Sequence, residues 1–220
     1  MPAPQQTTTL DIGAGTRVYV PVTSLHERQY QGLVRQAFDY SCGAAALATL
    51  LTYGVGDRVS EKEIMDQLFA LLPTDQEALR EKEGFSLLDL QGVAQGRGHK
   101  AQGFRLAPEF LSRLRGPVIV FIRPRGYEHF AVLKGVRGDY VYLADPSRGN
   151  LRLAIYRFME TWLDESGTGI VFVVEGKDGE LNTASPLTVS LEGLPAPELL
   201  SARQMLEASN AYARVPELLR

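Results

Sequence analysis

The hydrophobic pattern of this chain changes its period at Pro117, and this change limits the folds that are open to it. Before Pro117, apolar side chains recur at helical spacing, as they do over 57–72 and 84–96. After it, short runs rich in β-branched and aromatic residues are separated by turn residues. These runs cover 117–122, 129–136, 140–145, 151–155 and 170–176. Helices followed by hairpin-linked strands predict an α+β fold with a C-terminal antiparallel sheet.

Composition excludes several classes of protein. The 220 residues are 45% hydrophobic, which is enough for one domain with a sizeable core. The net charge is -3 and the 23 basic residues are scattered, so neither a nucleic acid nor an anionic membrane surface is an expected partner. No apolar run approaches the roughly 18 residues that a membrane span requires.

Cys42, the one cysteine of the chain, lies directly before an alanine- and leucine-rich run that predicts a helix ending near Gly54. The start of a helix carries about half a positive charge, which favours a thiolate over a thiol. Gly43 permits a close approach of another group, and Gln36 can bring an amide donor. Cys42 is therefore a candidate nucleophile, and the alternative is a small buried hydrophobic residue.

A base and an orienting carboxylate are predicted from the next hairpin. If the strands 129–136 and 140–145 are joined by a three-residue loop, His129 and Asp145 lie opposite or diagonal to each other. Both share one face with small aliphatic residues, so we expect that face to be buried. The carboxylate would then fix the imidazole tautomer. Asp145 alone is also typical of a turn opening at Asp145-Pro146-Ser147.

The other two histidines are not expected to act in a site. His26 is predicted at the surface or a hinge because no second metal-binding residue lies at a coordinating spacing. His99 is predicted in an exposed turn over 96–104. Neither a metal nor a cofactor is predicted.

Taken together, these residues resemble the papain-like double-glycine leader peptidases, found at the N-termini of bacteriocin-exporting ABC transporters and as stand-alone proteins. The resemblance covers roughly residues 30–175. Its matching pieces are Gln36, Cys42-Gly43, the segment 84–104, Pro117-Val118, His129 to Val132, Asp145-Pro146 and Gly149. Family members usually carry an acidic residue immediately before the cysteine, whereas this chain has Ser41, which leaves the local geometry open.

The resemblance implies a role for each of four residues: Cys42 as nucleophile, His129 as general base, Asp145 as orienter and Gln36 as oxyanion-hole residue. It implies cleavage after a Gly-Gly or Gly-Ala pair in a leader or linker peptide, through a channel too narrow for side chains. Among stand-alone members, the chain is similar to the periplasmic peptidase of bacterial functional-amyloid (biofilm) export systems. This implies a periplasmic protein, with a cytoplasmic one as the alternative, and a substrate or partner from the secretion machinery.

The predicted organisation is an N-terminal extension with a short strand over 1–28, a papain-like peptidase domain over 29–176, and a linker with a C-terminal helix over 177–220. Two alternatives to a cysteine endopeptidase remain open at this level. One is a papain-like module that binds peptides without cleaving them. The other is an acyltransferase or amidase on the same scaffold.

Overall fold

The computed structural model describes residues 7–11, 17–21, 24–73, 76–177 and 185–189. The chain divides into two compact units, Met1–Thr188 and Val189–Arg220. The predicted C-terminal helix and most of the predicted linker lie outside the described residues. No helix of the described part is both long and apolar enough to cross a bilayer.

After a first pair of strands, the described chain is mostly helical up to residue 96 and mostly β-strand from residue 100 onward. The α-helices are α1 (Leu25–Gln29), α2 (Cys42–Thr49), α3 (Glu61–Leu71), α4 (Glu77–Glu83), α5 (Leu87–Gly96) and α6 (Ile155–Trp162). The strands are β1 (Thr7–Asp11), β2 (Arg17–Pro21), β3 (Lys100–Leu106), β4 (Val118–Ile122), β5 (His129–Arg137), β6 (Tyr140–Asp145), β7 (Gly149–Ala154) and β8 (Gly169–Glu175). A π-helical turn over Leu50–Gly54 continues α2, and a 3-10 helix spans Pro108–Arg113.

Strands β3 to β8 form one six-stranded sheet in the order β3-β8-β4-β5-β6-β7, with antiparallel pairing throughout. Strands β1 and β2 form a separate antiparallel pair. The predicted α+β class and the predicted strands after Pro117 are confirmed. Only one short strand is predicted over 1–28, so the second strand of this hairpin is not anticipated from the sequence.

The segment 96–104 differs from its prediction. It was expected to be an exposed turn, but β3 pairs along its whole length with β8, from Lys100 opposite Glu175 to Leu106 opposite Gly169. His99 is buried rather than exposed. Its Nε2 lies 3.0 Å from Asp57 Oδ2, and Arg97 donates hydrogen bonds to the same carboxylate. The glycines and polar residues of β3 give a weak local strand signal, so long-range pairing with β8 decides its structure.

Capping determines where two of the predicted helices begin. In α3, the Ser60 hydroxyl accepts a hydrogen bond from the Glu63 N–H, and the Glu63 carboxylate accepts one from the Ser60 N–H. Ser86 and Asp89 form the same reciprocal pair at the start of α5. These boxes satisfy backbone donors that the first turn leaves unpaired.

Hydrophobic clusters cover both faces of the sheet. On β5, Phe130 and Val132 belong to one cluster and Ala131 and Leu133 to the other, as alternation along a strand requires. The first cluster includes α2, α3 and α5, and the second includes α6. All of α2 is buried, and its alanines let it pack closely on β5.

Gly169 tests how tightly α6 is packed on the sheet. A Cβ at Gly169 would lie 2.0–2.5 Å from ring atoms of Trp162, which is buried and donates its Nε1–H to Ile170 O at 3.0 Å. We expect Gly169→Ala to lower the free energy of unfolding by about 3 kcal/mol, because neither ring nor strand can yield freely. Guanidinium unfolding followed by the fluorescence of Trp162, the one tryptophan, measures this.

Gly103→Ala is the matched control on the neighbouring strand β3. A Cβ there would meet its nearest atoms at 3.7 and 4.0 Å, which is ordinary contact. Its unfolding free energy should stay within about 1 kcal/mol of wild type. Equal stability of the two variants would contradict the packing described for Trp162.

Candidate active site

Cys42 is the first residue of α2, and its side chain is buried, with 8% of the residue exposed. Ser41 is the N-cap residue of α2, but its side chain makes no capping hydrogen bond to the helix. The thiol therefore lies at the positive end of a helix whose first turn receives no cap from that hydroxyl.

His129 begins β5 and links the thiol to Asp145. Its Nε2 lies 3.0 Å from Asp145 Oδ1, and the Cys42 side chain is close enough to the ring to raise the pKa of His129. Since Asp145 occupies Nε2, the ring nitrogen that remains for the thiol is Nδ1.

The hairpin between β5 and β6 reaches this arrangement by a route that was not predicted. Its loop has two residues rather than three, because Arg137 pairs with Tyr140. A two-residue loop alone would place His129 and Asp145 on opposite faces. The register shifts between Leu133 and Gly135, so that Leu133 pairs with Leu143. This bulge returns His129 and Asp145 to one face, in the diagonal relation that was one of the two expected.

Asp145 is fully buried and its carboxylate is hydrogen-bonded from several directions. Besides His129, Oδ1 accepts from Ser147 N at 2.9 Å, Ser147 Oγ at 2.8 Å and Arg148 N at 3.1 Å. Oδ2 accepts from Arg148 Nε at 2.8 Å. Asp145 is therefore both the partner of the histidine and the residue that opens the turn, as the two interpretations of the sequence proposed.

These contacts shift the pKa values of both groups. Burial by itself lowers the pKa of His129, but the hydrogen bonds and negative charges of Asp145 and Cys42 outweigh it and raise that pKa from 6.5 to about 9. Burial raises the pKa of Asp145, whereas His129, Ser147 and Arg148 together hold it well below its ordinary value of 3.8. A charged imidazolium–carboxylate pair is thus the stable form at neutral pH.

Gln36 lies beside the same turn. Its backbone N–H donates to Pro146 O at 3.1 Å, and its side-chain Nε2 donates to Phe38 O at 3.0 Å. Its Oε1 is buried and has no hydrogen-bond partner among the described residues. A buried amide oxygen without a partner is costly, and such groups concentrate at functional sites. Nε2 carries two N–H donors, of which Phe38 O uses one.

A seam of hydrogen bonds, absent from the sequence-based prediction, joins the segment 29–31 to the turn after Asp145. Tyr30 Oη donates to Ser147 O at 2.8 Å, and Gln29 Nε2 donates to Arg148 O at 2.6 Å. Asn150 Nδ2 donates to the carbonyls of Gln29 and Gln31 at 3.0 and 2.8 Å. The seam fixes the segment that leads to Gln36 against the turn that holds Asp145.

Gly149 is the residue whose identity allows the segment 29–31 to approach the turn so closely. Its φ is +82°, and a Cβ there would lie 2.6 Å from the carbonyl oxygen of Gln29. Only glycine fits both the left-handed backbone and the close approach of the other segment.

The thiol opens onto a cavity of about 320 Å³. Phe85, Phe121 and Phe130 form much of its wall, and Phe130 packs directly on Gly43, next to the thiol. Three larger grooves in the described part of the chain, of about 390, 520 and 810 Å³, contain none of the four predicted site residues. Within the described ranges, no group of three or more His, Cys, Asp or Glu side chains could hold a metal ion.

The site combines a thiol, an imidazole and a carboxylate next to a cavity. This combination can activate sulfur for attack on a carbonyl carbon. The imidazole can exchange a proton with the thiol, and the carboxylate fixes its tautomer and stabilises its cation. The four residues predicted from the sequence are thus all found around one end of β5 and the turn after β6.

Comparison with known proteins identifies relatives with the same scaffold. The sequence model of the Peptidase C39 family matches residues 31–176. The probable functional amyloid protease FapD of Pseudomonas aeruginosa is 38% identical over 193 residues, which are 88% of this chain and 78% of that protein.

Two solved structures are similar in fold. One is a double glycine motif protease from an AMS/PCAT transporter, solved in complex with the leader peptide, with 26% identity and a TM-score of 0.52 over 64% of this chain and 89% of that one. The other is the peptidase domain of Streptococcus ComA, with 20% identity and a TM-score of 0.54 over 67% of this chain and 99% of that one. The papain-like fold predicted from the sequence is confirmed.

The His129–Asp145 pair should make the free energy of unfolding depend on pH. We expect Asp145→Asn to lower the free energy of unfolding by about 3 kcal/mol near pH 6, since it breaks a buried charged pair. Because the pKa of His129 is raised, its contribution is complete below 6.5 and is lost as the pH rises through about 9. Because the pKa of Asp145 is lowered, its contribution is lost as the pH falls below 3.8.

The difference between wild type and Asp145→Asn should therefore be largest between about pH 4 and 6.5 and should shrink on both sides. Guanidinium unfolding over a pH series measures it. Asp139→Asn, the same substitution at an exposed position of the same hairpin, is the control and should change little. A difference that grows from pH 6.5 to 9 would contradict the charged pair.

Proposed function

We propose a specific substrate for this chain, which belongs to the Peptidase C39 family and is a cysteine peptidase. It cleaves a leader or linker segment of a secretion-system protein after a Gly-Gly or Gly-Ala pair. The observation that carries the proposal is the His129 imidazole, which is hydrogen-bonded to Asp145 and close enough to Cys42 for that side chain to raise its pKa, beside an aromatic-walled cavity lined by Cys42.

In the proposed mechanism, the Cys42 thiolate attacks the carbonyl carbon that precedes the scissile bond, and His129 is the imidazolium. Gln36 Nε2 and the Cys42 backbone N–H stabilise the oxyanion, each such donor being worth on the order of 3 kcal/mol in the transition state. His129 then donates its proton to the leaving amine, which leaves an acyl-enzyme on Cys42.

Deacylation reverses the proton transfers. His129, now neutral, takes a proton from the attacking water, and the thiolate leaves as the carboxylic acid product forms. Asp145 keeps the imidazole in one tautomer and stabilises its cation through both halves of the reaction. All the groups of this mechanism are side chains and backbone donors of this chain.

Crowding around the thiol supports a preference for small residues. Cys42 is nearly buried, and the ring of Phe130 lies against Gly43, directly beside it. A substrate with glycine or alanine on either side of the reacting carbonyl needs least space there. A bulkier residue would have to displace an aromatic wall of the cavity.

The proposed biological setting comes from relatives. One relative is named a probable functional amyloid protease, and a solved structure with the same fold holds a leader peptide. We therefore propose that this chain acts in the periplasm on a component of a functional-amyloid export system. A peptide-binding module without activity is disfavoured, because the cysteine and the histidine that cleavage requires are both present.

Cleavage should depend on the sulfur of Cys42. Wild type incubated with the proteins encoded beside its gene should generate new N-termini that follow a pair of small residues, detected by N-terminal sequencing and mass spectrometry. Cys42→Ala should reduce the rate by at least about 10⁴-fold, because removing a nucleophile abolishes the covalent route. Circular dichroism should show an unchanged fold.

Cys42→Ser, which keeps the shape of the side chain but not the thiolate, is the matched control and should be nearly as inactive. Retained cleavage by Cys42→Ala would exclude Cys42 as nucleophile. Cleavage by wild type after bulky residues would keep the peptidase but overturn the proposed specificity.

A further inference from the structure

We propose that Glu61, the first residue of α3, is a positioning residue of the active site. It would hold the loop 37–41 so that the Gln36 amide and the Cys42 thiol keep the geometry needed for attack. This inference rests on the function proposed above, and it adds a residue from a third element to the site.

The Glu61 carboxylate contacts both ends of the loop. Its Oε1 accepts from Ala37 N at 2.9 Å and from Ser41 Oγ at 2.5 Å, and its Oε2 lies 3.1 Å from Ala37 N. Ala37 directly follows Gln36, and Ser41 directly precedes Cys42. One side chain thus binds the loop next to each of the two groups that would contact the reacting carbonyl.

The loop transmits this contact to the amide of Gln36. The carbonyl of Phe38 accepts from Gln36 Nε2 at 3.0 Å and from Ser41 N at 3.2 Å, and it lies 2.8 Å from Ser41 Oγ. The Phe38 N–H in turn donates to Ser41 Oγ at 3.1 Å. The oxygen that orients the Gln36 amide is therefore fixed by Ser41, which Glu61 holds.

Helix stability does not explain Glu61. The first turn of α3 already has its reciprocal cap from Ser60 and Glu63, so Glu61 is not needed for that purpose. Its negative charge also lies beside the start of α2, where it competes with a thiolate for the same positive field. A carboxylate at this position therefore has an electrostatic disadvantage for catalysis, which its hydrogen bonds to the loop must outweigh.

Two substitutions separate hydrogen bonding from charge. In Glu61→Gln, the amide oxygen can take the place of Oε1 and accept from both Ala37 N and Ser41 Oγ. In Glu61→Ala, both bonds are lost. We expect Glu61→Ala to lower kcat on the order of 10- to 100-fold with KM within twofold, since a misplaced oxyanion donor and thiol weaken the transition state. Glu61→Gln should recover kcat to within about fivefold of wild type.

The rate of Cys42 alkylation by iodoacetamide at pH 6 gives a second readout that needs no substrate. It should fall severalfold in Glu61→Ala and return in Glu61→Gln, because the contact between thiol and imidazole depends on the loop. Glu63→Ala is the matched control: it removes a capping acid from the same turn, so it should lower the Tm but leave kcat and the alkylation rate unchanged.

The outcomes distinguish this inference from the proposed function. If wild type cleaves and Glu61→Ala keeps full kcat, the proposed role of Glu61 is overturned, whereas the proposed peptidase function is supported. If wild type does not cleave, the proposed function fails and the alkylation rates alone decide the role of Glu61. If Glu61→Ala does not fold, Ser41→Ala replaces it, with an expected loss of kcat of about tenfold, and an unchanged kcat there would overturn the inference.

Discussion

The buried carboxylate of Asp145 is the group on which the site depends. A charge without solvent must be paired and hydrogen-bonded, and this one is satisfied by the imidazole of His129, by the turn at Ser147 and Arg148, and by the Arg148 guanidinium. The same bonds that make its burial tolerable also end β6, set the turn before β7 and hold the imidazole toward Cys42. The structural requirement and the proposed catalytic role are met by a single side chain.

The site is assembled from two halves of the chain with different secondary structure. The first half supplies the sulfur of Cys42, at the start of α2, and the amide of Gln36, in the loop before that helix, whereas the sheet supplies the imidazole and the carboxylate. Packing of α2 on β5 brings the halves together, but burial of alanines alone does not define a position to a fraction of an ångström. The seam at Asn150 fixes the segment before Gln36 against the sheet, and Glu61 binds the loop before Cys42 from the helical side.

Much of this could be predicted from the sequence, for local reasons. The period of apolar residues identified α3, α5 and the strands after Pro117, and parity placed His129 and Asp145 on one buried face. That parity held only because a bulge near Gly135 offset a loop one residue shorter than expected, and no local pattern indicates either. Strand β3 and the burial of His99 were missed because pairing with β8 and the Asp57 carboxylate, both distant in sequence, determine them. Glu61 was not predicted as part of the site, because its partners in the loop, Ala37 and Ser41, are 24 and 20 residues away in sequence.

The most direct test of the central claim is the titration of the His129 imidazole by NMR, assigned by comparison with His129→Gln among the three histidines. If Asp145 and the thiolate of Cys42 hold the ring as a cation, its pKa in the wild-type protein is about 9. A ring that titrates at or below 6.5, as burial without charged partners requires, would contradict it.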